Sequence, residues 1–278
     1  MNRIRSESIG QWAGLAVGVV IVVVLFASTL RWLFDSWLAD PNYSHGFLVP
    51  LIAAFFVWRA RDVFRARAPS MWGLVLLGLA LALHLVATPL RIFPLSALAL
   101  VLLLAATVVL VWGAAALRAS AFAFLVLVLM IPIPFVDQIS PTLEAFTATV
   151  AATSVGLLGT QAVTLGSQVQ LPNAAFEIGA ACSGLRSLAS LVTLAVVFSG
   201  IVDGPRWGKA LIVLAAMPIA ILSNLVRVTS ILQFAQVFGA DAGLTYYHDY
   251  SSPVLFVIAL GLLITFARTV KCSEIRFA

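Results

Sequence analysis

Apolar runs, broken by short polar or basic turns, recur along the whole of this chain. A backbone inside hydrocarbon has to satisfy its own hydrogen bonds, which leaves membrane helices or a closed barrel. The runs here are continuous rather than alternating, and that selects helices. Composition agrees, with 62% hydrophobic and 10% charged residues and a mean hydropathy of +1.10, far outside the range of soluble domains. The chain is expected to be an all-α polytopic integral membrane protein embedded in a lipid bilayer. Its net charge of +5 then reports membrane orientation rather than a nucleic-acid surface, and no nucleic-acid partner is expected. No Cys/His cluster has metal-ligand spacing and no glycine-rich phosphate loop occurs, so neither metal nor cofactor is expected.

About eight spans are expected, near residues 12–30, 46–58, 71–90, 94–113, 119–135, 183–201, 210–233 and 253–267. The first follows Arg3 and Arg5 like a signal peptide, but it is long and lacks a nearby A-x-A site, so it reads as a retained span. Gly10, Gly14 and Gly18 fit helix packing there. A polar turn follows at 35–46, with Asp35, Asp40, Pro41 and His45. Residues 136–159 carry Asp137, Gln138 and Glu144 and read as an interfacial or re-entrant helix. Residues 161–178 alternate apolar and polar around Gly166-Ser167, which predicts a small β-hairpin outside the membrane. Pro218 is expected to kink the seventh span. No composition shift marks a boundary, so residues 1–278 are read as a single transmembrane domain.

Eight spans place both termini on one side. That side holds Arg3, Arg5, Arg59, Arg61, Arg65, Arg67, Arg118, Arg206, Lys209, Arg268, Lys271 and Arg276; the other holds only Arg31, Arg91, Arg186 and Arg227. The positive-inside rule makes the termini cytoplasmic. Cys182, Arg227, His45 and His248 then face outside and Cys272 faces the cytoplasm, so the two cysteines cannot pair. A lone outer thiol points to reactivity.

Ala181-Cys-Ser-Gly-Leu-Arg-Ser-Leu188 concentrates chemistry at the head of the sixth span. If Cys182 or Ser183 starts the helix, Cys182 and Arg186 share a face, and both the helix start and the guanidinium favour a thiolate. The same small residues also suit close helix packing. Arg186 and Arg227 near a span end need a partner, a snorkelling route or a function; Glu177 is a candidate partner for Arg186. His84, in mid-span, reads as a satisfied interhelical hydrogen bond.

Ala-Cys-Ser-Gly-Leu-Arg-Ser-Leu at 181–188, Asn-Leu-Val-Arg at 224–227 and His248 resemble the Cys, Arg and His motifs of the exosortase/archaeosortase family. Tyr-Ser-His-Gly-Phe-Leu-Val-Pro at 43–50, with its basic loop, is similar to the N-terminal signature of bacterial exosortases, and Pro132-Ile-Pro-Phe-Val-Asp-Gln-Ile-Ser140 to another stretch. The resemblance covers roughly residues 40–260. It implies a cysteine protease/transpeptidase of the bacterial inner membrane with an extracytoplasmic active site. Its substrates would be exported proteins bearing C-terminal PEP-CTERM sorting signals, in systems linked to extracellular polysaccharide and biofilm. Two departures stand out: Asp-Tyr-Ser-Ser-Pro follows His248 where relatives often have Ser-Gly, and the chain ends at Ala278 without the extra C-terminal domain of some members.

On that resemblance Cys182 is the nucleophile and His248 the general base and acid. Arg227 stabilises the oxyanion or clamps a substrate carboxylate, and Arg186, Asn224 and Ser183 support. Two other classes compete. A transporter would place charges at mid-membrane in corresponding halves, and a non-catalytic scaffold of a polysaccharide export system would need no reactive thiol.

Overall fold

The computed structural model describes residues 16–66, 68–133, 135–179, 182–243 and 248–275; the side chains of 135–137, 248, 249 and 275 also lie outside the description. Arg3, Arg5, Gly10, Gly14, Arg67, Ala181 and Arg276, and the side chains of Asp137 and His248, are therefore expectations outside the described residues. The chain forms two compact units, one of residues 1–40 and 46–132, the other of residues 41–45 and 133–278.

The first unit is helical. Helices α1 (Ala16–Leu25) and α2 (Ala27–Ala39) are bent by 71° at Phe26. The polar turn expected from residue 35 therefore starts later, because the helix runs on to Ala39 and its Asp35 meets Arg31 one turn back at 3.7 Å. After a 3-10 turn come α3 (Val49–Arg59), α4 (Trp72–Ala87), α5 (Phe93–Trp112) and α6 (Ala114–Val128). The bend at Phe26 is held from α4 and α5. Buried His84 places Nε2 3.1 Å from the Leu25 carbonyl and Nδ1 2.8 Å from Ser96 Oγ. A carbonyl only accepts, so Nε2 carries the proton and Nδ1 accepts from the serine. Ser96 also meets Thr29 at 2.6 Å, and the Phe26 ring lies 4.0 Å from the imidazole. His84 is the satisfied interhelical group that its position predicted.

The second unit holds the candidate site. Its elements are α7 (Phe135–Leu157), β1 (Val163–Leu165), β2 (Gln168–Leu171), β3 (Ala174–Glu177), α8 (Leu185–Ile201), β4 (Val202–Asp203), α9 (Arg206–Phe238), α10 (His248–Thr269) and β5 (Glu274–Ile275). The expected hairpin is a three-stranded antiparallel meander, with Leu165 opposite Gln168 across Gly166-Ser167 and Leu171 opposite Ala174 across the next turn. The alternation marked its strands, and a second tight turn added the third.

Helix α9 runs through both cores of this unit. Around residues 228–235, Val228, Leu232 and Ala235 pack on Ala148, Ala151 and Val155 of α7 and on Val169 and Phe176 of the sheet. Around residues 212–220, Ile212, Ala216 and Ala220 pack on Leu191 and Ala195 of α8 and on Ala259, Leu263 and Ala267 of α10. Alanines at these crossings let the helix backbones approach closely, which is how association gains contact energy where lipid is as apolar as the helices. Residues 223–227 lie between the two cores.

Among the described residues, α5, α9 and the Tyr250–Thr269 part of α10 are long and apolar enough to cross a membrane, and the bent α1–α2 pair adds a fourth if it counts as one span. α4, α6 and α8 are shorter apolar helices. At 11 residues, α3 reaches only about 17 Å, against ~30 Å of hydrocarbon. The expected all-α membrane architecture holds, but the number of eight spans does not follow from these helix lengths. Two boundaries also move. The last helix starts at His248, ahead of Pro253, and α9 runs from Arg206 to Phe238, with Pro218 inside it, where 210–233 was expected.

Candidate functional site

The loop that carries the thiol is shaped by local bonds. The Cys182 N–H donates to the Gly179 carbonyl at 2.8 Å. Buried Ser183 turns its Oγ to accept the Leu185 N–H at 3.3 Å, satisfying one of the donors a helix start leaves open. Gly184 takes a left-handed φ of +87°, a conformation a side chain disfavours. A Cβ at Gly184 would also lie 2.8 Å from Asn224 Cγ and Nδ2. Glycine is thus required twice over, by the backbone and by the neighbour.

These bonds delay the helix. It begins at Leu185 with Gly184 as its cap, so Cys182 precedes it and does not share a helical face with Arg186. This corrects the expected pairing of the two. Arg186 is exposed, and no ion pair joins it to Glu177 among the described residues.

The charge beside the thiol comes instead from α9. Cys182 is half-buried, and burial pushes its thiol above the usual range while the Arg227 guanidinium pulls the other way. Burial is the larger effect, so the resting group is a neutral thiol rather than the thiolate that a helix start would favour. One turn earlier on α9, Asn224 is only 4% exposed, and its Nδ2 donates to the Cys182 carbonyl at 2.9 Å. Arg227 Nη1 in turn donates to Ser252 Oγ on α10 at 2.9 Å. A further bond, Ser223 Oγ to the Leu255 carbonyl at 3.1 Å, ties the same two helices. One and a half turns of α9 therefore hold the cysteine loop on one side and α10 on the other.

Of the sequence-predicted residues, the structure brings together Cys182, Ser183, Asn224 and Arg227. Arg186 acts on Arg227 only as a neighbouring like charge. His248 is the first residue of α10, one turn before Ser252. His45 sits beside Tyr43 in the 3-10 turn Pro41–Phe47, their ring centroids 6.5 Å apart. No group of three or more His, Cys, Asp or Glu able to hold a metal occurs among the described residues.

The model of the transmembrane exosortase family matches residues 37–265. The chain belongs to this family. No curated protein and no solved structure matches. Exosortase membership makes this a multi-pass membrane protein, in keeping with its apolar helices.

Within this exosortase, two stretches of the resemblance prove to be joined. The Tyr43 hydroxyl accepts the Ile133 N–H at 3.0 Å and donates to the Ile133 carbonyl at 3.1 Å. Nothing in either motif announces that contact, which spans 90 residues. Ser252 was likewise invisible as a partner of Arg227, since a serine in an apolar helix carries no signal of what it faces.

Proposed function

We propose that this exosortase-family protein is a cysteine peptidase/transpeptidase that cleaves C-terminal PEP-CTERM-type sorting signals from exported proteins, at the extracytoplasmic face of a bacterial inner membrane. The observation that carries the reading is Arg227 acting on a half-buried Cys182 thiol whose loop is pinned by Asn224. Depth is consistent with it. Arg227 is 21 residues from the basic start of α9, or about 32 Å, so a span entering from the cytoplasm reaches the far edge of the hydrocarbon there.

The chemistry follows from the neutral resting thiol. A base has to remove its proton, and a histidine such as His248 is suited to that task. As the proton passes to His248, Cys182 Sγ bonds to the scissile carbonyl carbon and the carbonyl electron pair moves to oxygen. The Arg227 guanidinium stabilises that oxyanion, or alternatively clamps a substrate carboxylate. Collapse breaks the C–N bond, His248 returns the proton to the departing amine, and a thioester remains on Cys182. An acceptor amine or water then attacks the thioester and restores the thiol. Ser183 and Asn224 hold the loop, and Arg186 adds positive charge near Arg227.

Co-expression with a sorting-signal protein tests the proposal. Wild type should convert the substrate to a shorter form on a gel, and Cys182→Ala should leave it full-length. Conversion by the Ala variant would exclude Cys182 as the nucleophile and refute the proposal.

A further inference from the structure

We propose that Ser252 is a positioning residue for this reaction, its hydroxyl holding the Arg227 guanidinium beside the Cys182 thiol. The inference rests on the reading of Cys182 as nucleophile and Arg227 as its charged partner. Its geometry is the 2.9 Å bond from Arg227 Nη1 to Ser252 Oγ, made across two helices by residues 25 apart.

A neutral acceptor suits this place. A carboxylate at position 252 would hold the fork and also cancel its charge, whereas a hydroxyl fixes the direction and leaves the charge for the thiolate or oxyanion. Position matters as much. Ser252 lies one turn after His248 on α10, so the residue that orients the arginine belongs to the helix turn that follows the proposed base. A second bond, Ser223 Oγ to the Leu255 carbonyl one turn further along, also ties these two helices.

Space around the pair predicts what its loss does. Ser187, Ser223, Asn224, Arg227 and Ser252 border a void of about 20 Å³, room for roughly one water. With Oγ removed, the guanidinium has somewhere to go. Without the bond that fixes its direction, the guanidinium turns away from the Cys182 thiol and favours its thiolate less.

The test is a double-mutant cycle on the intact protein in detergent, reading N-ethylmaleimide addition to Cys182 by peptide mass spectrometry at one fixed pH. Ser252→Ala should slow the addition about tenfold, as expected when one hydrogen bond to a charged group is lost. Ser252→Thr keeps the hydroxyl and should stay within about twofold of wild type. In an Arg227→Gln background, Ser252→Ala should have no further effect, because its route to the thiol is already gone. An unchanged rate in Ser252→Ala, or equal slowing with and without Arg227, would overturn the proposal. Alkylation uses no substrate, so this outcome is separate from the fate of the peptidase reading, which the Cys182→Ala processing assay decides.

Discussion

Gly184→Ala is the sharpest perturbation available at this site, because its cost has three separable parts. The left-handed φ of +87° costs an alanine roughly 1–2 kcal/mol. The new Cβ, 2.8 Å from the Asn224 amide, is overpacking, which typically costs about 1–3 kcal/mol. If Asn224 moves away to relieve it, the 2.9 Å bond to the Cys182 carbonyl goes too, worth about 1 kcal/mol. Crowding and the lost bond are alternatives, so with the backbone cost the total is roughly 2–5 kcal/mol, a large share of a typical folding free energy. The parts can be told apart. In an Asn224→Ala background the bond and the two 2.8 Å approaches are gone and only the Cβ of residue 224, at 3.0 Å, still crowds the new methyl, so the backbone cost of roughly 1–2 kcal/mol dominates what remains. Heating in detergent, followed by size-exclusion chromatography of the surviving protein, measures both. The melting point should fall steeply in Gly184→Ala and clearly less when the same change is made in Asn224→Ala. Equal losses in the two backgrounds would refute the contact, and no loss in either would refute the left-handed turn as well.

Other expectations follow from the same geometry. Arg227→Lys should express normally yet process substrate ~10²- to 10³-fold more slowly, since a point charge does not reproduce a directed fork; near-normal processing would reduce Arg227 to an interfacial anchor. Alkylation of Cys182 should rise with pH to a midpoint above the usual thiol range, because burial favours the neutral form. Arg227→Gln removes the charge that favours the thiolate, so the midpoint should move further up; a downward move would contradict the proximity of the two groups. Tyr43→Phe removes both bonds to Ile133 and leaves backbone groups short of a partner, at about 1–3 kcal/mol. Its melting point should drop while Cys182 alkylation stays at the wild-type rate.

Signals repeated over a few residues were legible in advance. The apolar run at 94–113 predicted α5, observed as Phe93–Trp112, almost to the residue. The alternation from Gln161 to Ile178 predicted strands because side chains on a strand change face at every step. The residue order of the Cys and Arg motifs was enough to point to the family that the match over residues 37–265 establishes. Each of these depends on neighbours one to four residues apart, and those relations are set by backbone geometry alone.

What the tertiary structure decided are relations between distant residues, which no local pattern encodes. Cys182 and Arg186 looked like partners because they are four apart, but the left-handed turn at Gly184 holds the cysteine off the helix. The charge that reaches the thiol comes from Arg227, 45 positions away in the chain. Asn224 reaches the Cys182 carbonyl across 42 residues, and β5 pairs with β4 across the whole length of α9 and α10. Such contacts arise when α9 packs on α7 and the sheet at one end and on α8 and α10 at the other, bringing residues 223–227 up against the cysteine loop. The sequence by itself determined which residues could do chemistry and where most of the apolar helices and the first strands lie. Which of those residues meet was decided by packing, because an interface selects partners by shape and depth rather than by spacing along the chain.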